Sequence, residues 1–363
     1  MQTHSNFRLL VVRLGALGDI LHALPAMTAL RQAHPDWGID WVLEPRWRAL
    51  LTAEGGIRRS PAQPIVDNLH FAPTKQWGKA PFSRQTLDEI RALRAALREG
   101  EYDAVLDLQG AIRSAVLARF SSCDRRIGAA EPWERAARWL YTERVATRGT
   151  HVIEQDVELA SAVVGDALRP VQPWLPMDPV AGDWADKLLS ATARSAVLLN
   201  PGAGWGAKRW PVERYAVVAQ GLIECGCRVL VNAGPGEEAL AEVIVRSTGG
   251  AATALACTLA QLIALTRRIA LVIAGDTGPL HLACALGRPV VGIYGPTDPS
   301  RNGPFGTQFI VLRSPRSRRD HSRLTAPEAG LLTIEPDEVL RAAETLLYPE
   351  STPESENAPE TSP

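Results

Sequence analysis

Apolar positions along the chain follow two rhythms, short unbroken runs and longer stretches with a three-to-four-residue repeat, and turn residues separate them. Residues 7–14 (FRLLVVRL) read as a buried strand interrupted only by Arg8 and Arg13. Residues 20–32 carry Leu21, Leu24, Met27 and Leu30 at helical spacing, with Pro25 expected early in the helix, where a missing N–H is best tolerated. Strands are predicted over 39–43 and 102–106, an extended piece over 65–71, and helices over 47–53, 84–99 and 111–119. A second series follows, with strands at 196–200, 227–232, 271–274 and 289–294. Between and after them lie helices at 213–224, 239–247, 258–266, 279–286 and 336–347. Strands alternating with helices imply parallel sheets covered on both faces.

Residues 169–179 (RPVQPWLPMDP) are proline-rich and aperiodic, so the interdomain linker is placed there. The division expected is a domain over 1–172, a domain over 173–335 and a terminal helix over 336–348 that packs back on the first domain. An acidic tail rich in Pro, Ser and Glu over 349–363 is expected to be disordered. With 363 residues and 46% hydrophobic content, the chain suits two domains of ordinary size. A formal net charge of −1 argues against a general nucleic-acid partner. The five cysteines are scattered and odd in number, which reads as reduced thiols. No signal peptide is read at the start, and no apolar stretch is long enough to cross a membrane.

The most informative chemistry lies in 271–306 (LVIAGDTGPLHLACALGRPVVGIYGPTDPSRNGPFG). An apolar run ends in Gly275-Asp276-Thr277-Gly278, and a helix opens with Pro279 and stops at Gly287. A strand end thus faces a helix N-terminus, an arrangement that binds phosphate through free N–H groups and the helix dipole. Asp276, Thr277 and His281 add side chains around it. Pro279 has no N–H, so the donors must come from Thr277, Gly278, Leu280 or His281.

Other constellations carry two readings each. Asp19, after Gly15-Ala16-Leu17-Gly18, is either a helix N-cap or a base that accepts a proton from an attacking hydroxyl. Lys208-Arg209, after a glycine-rich loop at 202–206, suits a diphosphate or forms a solvated pair. Glu237 and Glu238 either accept from ribose hydroxyls or stabilise the helix they open. Lys75, Lys79 and Arg113 either meet an anionic acceptor or are ordinary surface cations, and the basic run 316–323 reads as a solvated loop. The chain has no GxxxxGK[ST] loop, no HExxH and no GxGxxG, which argues against a P-loop enzyme, a zinc hydrolase and a dinucleotide oxidoreductase.

Taken together these pieces resemble glycosyltransferase family 9, the ADP-heptose:lipopolysaccharide heptosyltransferases, and most nearly the heptosyltransferase I type. The resemblance is carried by GDILHALPA from Gly18, WVLEP from Trp41, YDAVLDLQGAIRSA from Tyr102, and AGDTGPLHLA together with YGPTDP, and it extends to about residue 347. It implies an α/β GT-B fold, two Rossmann-like doubly wound parallel-sheet domains facing a cleft. It also implies inverting, metal-independent transfer of heptose from ADP-heptose to a lipopolysaccharide inner-core acceptor of the Kdo–lipid A type, with no cofactor.

By position, the resemblance makes Asp19 the catalytic carboxylate and Lys208 a contact to the donor phosphates. Gly18, Asp276, Thr277, Gly278 and His281 join the donor site, one of Glu237 and Glu238 meets the ribose, and the backbone near Cys257 meets the adenine. Lys75, Lys79 and Arg113 would face the acceptor, although Gln76 and Gly78 stand where the heptosyltransferase I type carries cations. The implied partners are a nucleotide sugar, an anionic glycolipid and the cytoplasmic face of the inner membrane, bound peripherally, with no nucleic acid. The alternatives are a family 9 transferase with another nucleotide sugar or glycolipid acceptor, and a non-catalytic nucleotide-sugar-binding homologue.

Overall fold

The computed structural model describes residues 7–190, 195–318 and 324–349. Residues 350–363 of the acidic tail and 319–323 of the basic run lie outside the described residues. The N-terminal half contains β1 (Arg8–Val12), α1 (Leu17–Ala33), β2 (Gly38–Leu43), β3 (Asn68–Phe71), α2 (Thr74–Trp77), α3 (Arg84–Glu99), β4 (Ala104–Asp107), α4 (Ile112–Phe120), β5 (Arg126–Ala129), β6 (Glu143–Val145) and α5 (Val152–Val164). The C-terminal half contains α6 (Pro179–Leu189), β7 (Ala196–Asn200), α7 (Val212–Glu224), β8 (Arg228–Asn232), α8 (Glu238–Ser247), β9 (Thr253–Leu255), α9 (Leu259–Thr266), β10 (Leu271–Gly275), α10 (Gly278–Ala285), β11 (Val290–Tyr294), α11 (Pro299–Asn302), β12 (Phe309–Arg313) and α12 (Pro336–Leu347).

Each half holds one six-stranded sheet, ordered β3-β2-β1-β4-β5-β6 and β12-β11-β10-β7-β8-β9. Every pairing within them is parallel, and counted from its own first strand each half has the same doubly wound order. The strand order reverses between β1 and β4 and between β7 and β10, so the loops leaving those strands border the crevices where such sheets bind ligands. Leu9, Leu10, Val11 and Val12 of β1 and Leu271, Val272, Ile273 and Ala274 of β10 are fully buried, as central strands covered on both faces must be.

Helices α1 and α10 hold the halves together. Ile20 through Arg31 of α1 are buried without a break, and so are Leu280 through Ala285 of α10. Ordinary surface helices bury one stripe, whereas α1 packs on its own sheet, on α5 and on α10 of the other half. One contiguous apolar core therefore runs from Leu9 and Val11 through Leu24 and Met27 to Leu280, Leu282 and Leu198.

Several elements depart from expectation. Helix α1 begins at Leu17, three residues earlier than the apolar periodicity suggests, which places Pro25 in its interior. Helix α12 packs on α7 and the β10–β12 strands, so the expected return to the N-terminal domain is not what the structure contains. Its Val339, Ala342 and Ala343 join the C-terminal core with Tyr215 and Val218 of α7. Strands β5 and β6 (RIGA and ERV) are too short and polar to announce themselves, and ladder hydrogen bonds hold them. Helix α5 does bury Ile153, Val157, Ala160 and Val163 at helical spacing, a legible pattern that went unread.

Candidate active site

The cleft is built where the amino ends of α1 and α10 meet. Leu17 and Gly18 start one helix, and Thr277 and Gly278 start the other. A Cβ on Gly18 would lie 2.9 Å from Cδ2 of His281, and one on Gly278 would overlap the Leu17 side chain. Glycine at both places lets the helices approach that closely. The resulting cavity, about 630 Å³, is lined from the N-terminal half by Asp19, Arg13, Lys75, Arg113 and Asp156, among others. From the C-terminal half it is lined by Trp205, Lys208, Asp276, Thr277, His281, Thr297 and Arg301.

On the α10 side, Asp276 is the hub. Its Oδ2 accepts from Lys208 Nζ, and its Oδ1 lies 3.0 Å from His281 Nε2. Burial pushes the Asp276 carboxyl up, but His281 and Lys208 outweigh it and hold the group far below the usual carboxylate range. The Lys208 ammonium also lies 4.2 Å from the Trp205 ring centroid. His281 Nδ1 lies 3.2 Å from His22 Nε2 on α1, so a polar chain Lys208–Asp276–His281–His22 crosses between the halves. Burial, reinforced by His281 and His151, holds His22 well below the usual imidazole range and hence neutral. The His281 backbone N–H is spent on the Thr277 carbonyl at 3.3 Å, which narrows the α10 donors to Thr277, Gly278 and Leu280.

On the α1 side, Asp19 is not the helix N-cap, which is Ala16, but stands at the third helical position. Its Oδ2 accepts from Ala16 N at 2.7 Å as a helix-start contact, and its Oδ1 lies 3.6 Å from Arg13 Nη2. The side chain is still 46% exposed, into the cleft. Arg13 is itself fixed by the Asp19 and Leu108 carbonyls. Beside it lies Asp156 of α5, which apolar patterning along that helix gave no reason to single out. Burial, and then the Asp19 charge, push its carboxyl up to about 7 against the opposing pull of Arg13. Among the described residues, Asp156 Oδ2, Trp47 Nε1 and Thr297 Oγ1 are buried without a hydrogen-bond partner, and all three residues line this cavity.

The remaining candidates divide. Lys75 and Arg113 line the cavity, whereas Lys79 does not. Glu237 turns toward the glycine loop, its Oε1 accepting from Ala203 N at 3.1 Å and facing Arg209 at 3.3 Å. Glu238 is exposed and closes on Gly236 N at 3.0 Å. Cys257 faces Asn232, its thiol pushed up to about 11 by burial. These three lie outside the cavity lining, along the carboxyl ends of β8 and β9. Arg301, on α11 beyond YGPTDP, adds a second cation to the wall that holds Lys208.

The model of glycosyltransferase family 9 (heptosyltransferase) matches residues 90–330, well over half of the chain. The chain belongs to this family. Its enzyme class, glycosyltransferase, and its GT-B fold follow with it. Among curated family 9 relatives, lipopolysaccharide heptosyltransferase 1 of Escherichia coli K12 is 30% identical over 325 residues, 85% of this chain and 94% of that one. Lipopolysaccharide heptosyltransferase 1 of Pseudomonas aeruginosa is 28% identical over 85% of this chain and 84% of its own length. Among solved structures, E. coli heptosyltransferase WaaC with ADP-2-deoxy-2-fluoro heptose superposes with a TM-score of 0.73 at 27% identity, covering 93% of this chain and 99% of that one. A family 9 glycosyl transferase from Veillonella parvula reaches 0.80 at 22% identity over 96% and 98%, and supports the fold alone.

Proposed function

We propose that this family 9 glycosyltransferase moves heptose from ADP-heptose to a lipopolysaccharide inner-core acceptor of the Kdo–lipid A type, with inversion and without a metal. The observation that carries the reading is that Asp19 and the Lys208–Asp276–His281 cluster line one cleft from opposite halves. The structure of a relative carrying an ADP-heptose analogue supports the choice of donor.

A single displacement needs a base on the acceptor side and charge stabilisation on the leaving-group side. Asp19, half-exposed to the cleft, takes the proton of the acceptor hydroxyl as that oxygen attacks the anomeric carbon. The bond to the diphosphate breaks on the opposite face, which inverts the configuration. Charge developing on the diphosphate meets Lys208 and the free N–H groups of α10. The helix dipole alone contributes about 0.3–2 kcal/mol, so the cation is needed with it. Asp276 serves this step indirectly, by fixing Lys208 and His281.

In the same reading, Glu237 meets the ribose, because it rather than Glu238 faces the glycine loop. The base lies near Cys257, and Lys75 and Arg113 face the anionic acceptor. The domains divide near 172–173. No helix among the described residues is long and apolar enough to cross a membrane, and the enzyme works peripherally on the cytoplasmic face of the inner membrane. A second reading, another nucleotide sugar or glycolipid acceptor in the same cleft, is favoured by Lys79 lying off the cavity and by Gln76 and Gly78 beside it.

The test is incubation with ADP-heptose and Kdo–lipid A, with and without EDTA. Mass spectrometry should find one added heptose and nuclear magnetic resonance the inverted anomer, unaffected by the chelator. Transfer from a UDP- or GDP-sugar instead, or ADP-heptose binding without transfer to any glycolipid, would overturn the assignment.

A further inference from the structure

The N-terminal sheet is all parallel, so its strand carboxyl ends and the amino ends of the following helices share one rim, the rim of the cleft. Large apolar side chains stand out along it. Phe82, just before α3, is 90% exposed, and Trp133 is 73% exposed. Ile112 and Val116 of α4 are exposed one turn apart, with Arg113 and Arg119 on the same helical face. The 3-10 turn Arg135–Leu140 packs against α4 through Ala115, Ala137 and Tyr141 and presents Trp139, 66% exposed. The guanidinium carbons of Arg138 and Arg144 lie 4.8 and 5.2 Å from the Trp139 ring centroid.

The charge on this surface is equally local. Residues 111–150 hold eight arginines against four carboxylates in a chain whose formal net charge is −1. Of the four, Glu134 is engaged by the Ile112 N–H at 2.8 Å and Glu143 by Arg125 at 2.9 Å. Exposed tryptophan flanked by arginine suits the boundary between lipid headgroups and acyl chains, where an aromatic ring finds apolar contact and the cations meet phosphates. A protein partner large enough to cover the patch would have to bury these guanidinium groups against carboxylates, whereas an anionic bilayer leaves them at the headgroup level.

We propose that α4, the Arg135–Leu140 turn and β6 form the face by which this enzyme docks on an anionic phospholipid bilayer. The inner edge of that face, Arg113 and Trp133, is also cleft lining, so docking there sets the cleft mouth against the membrane. An acceptor sugar then reaches Asp19 while its acyl chains stay in the bilayer. This step rests on the glycolipid-acceptor reading above.

The experiment is co-sedimentation of the full chain with vesicles of phosphatidylglycerol and phosphatidylcholine, or of phosphatidylcholine alone. Wild type should bind the anionic vesicles and release at high salt. The variant Arg135→Ser with Arg144→Ser should bind roughly fivefold more weakly for each arginine removed. Trp139→Ser should weaken binding while melting at the wild-type temperature. None of these three residues lines the cleft. In all of these variants, transfer to Kdo–lipid A in vesicles should fall while transfer to its de-acylated, water-soluble form stays at the wild-type rate. Equal binding of wild type to both vesicle types, unchanged binding by the variants, or a dimer that the variants dissociate would overturn the proposal. If wild type transfers heptose to neither acceptor form, the functional reading fails, and the vesicle result still decides the docking face.

Discussion

His22 Nε2 and His281 Nδ1 lie 3.2 Å apart, joining α1 of one half to α10 of the other in the lining of the cleft. Ionised Asp276 makes the Nε2 of His281 a donor. A neutral His281 then accepts at Nδ1 from His22, and a protonated one reverses the contact with neutral His22 accepting. Either way His22 sets the orientation of His281, and through Asp276 the position of Lys208. His22→Phe keeps the ring volume but removes the nitrogen, and should lower kcat about 10–100-fold. His22→Gln, whose amide nitrogen can take the place of Nε2, should recover most of the loss. Steady-state kinetics of the two variants, with nitrogen-15 shifts of the His281 ring as a readout independent of turnover, checks this. Equal behaviour of Phe and Gln would reduce His22 to a packing residue.

In the proposed mechanism Asp19 acts on the acceptor, and its own partners are Ala16 and Arg13 rather than the α10 cluster. Asp19→Ala should lower kcat by about 10²–10⁴ and change the dissociation constant of ADP by no more than about twofold. Calorimetry and a coupled ADP-release assay separate the two. A variant that turns over near the wild-type rate removes Asp19 from the chemistry.

Asp156 gives stability a pH signature. Its carboxyl is held near 7 in the fold, against about 3.9 in an unfolded chain. Below about pH 4 both states are protonated and nothing is lost. As pH rises toward 7 the unfolded chain releases this proton and the fold retains it, so its contribution to stability falls, by the order of a few kcal/mol in all. Asp156→Asn should flatten that part of the profile, gaining on wild type as pH climbs. Chemical denaturation at pH 5, 6, 7 and 8 measures the slopes, and parallel slopes would refute the account.

Gly278 faces Leu17 with no room for a methyl group, whereas a Cβ on Gly204 meets nothing within 4 Å. Gly278→Ala should destabilise the protein by about 1–3 kcal/mol and loosen the seating of α10 on α1. Gly204→Ala should be close to neutral. Thermal melts of the pair test this, and a neutral Gly278→Ala would mean the helices can shift apart without cost.

Much of the fold was legible because β1, β7, β10 and β11 are uniform apolar runs and the connecting helices are periodic. Strands β5, β6, β9 and β12 escaped: the first three have three or four residues each and are stabilised by neighbours rather than by their own composition, and β12 (FIVLR) is an apolar run that went unread. Among the candidate site residues, Lys208, Asp276 and Thr277 lie between a strand and the helix that follows, and Asp19 and His281 lie in the first turn of such a helix, so their chemistry is local and can be read locally. Lys75 and Arg113 also reach the cavity and Lys79 does not, a difference that only the path of the chain decides. Asp156 and Trp47 are brought to the cleft by tertiary packing, and no spacing could announce them, whereas Thr297 stands in YGPTDP, in the loop leaving β11. The His in GDILHALPA, His22, had a local hint too, since a histidine on the most buried helix has to find a polar partner.

The grip on the leaving diphosphate has a kinetic corollary. Transfer of the sugar leaves ADP with one more negative charge than the diphosphate carried as an ester. In the proposed reaction Lys208, Arg301 and the amino end of α10, which line one wall of the cleft, would favour that growing charge and so hold the spent nucleotide more firmly than the incoming donor. An enzyme working in this way would be throttled by its own by-product, and the pace of turnover would pass from bond breaking to the departure of ADP.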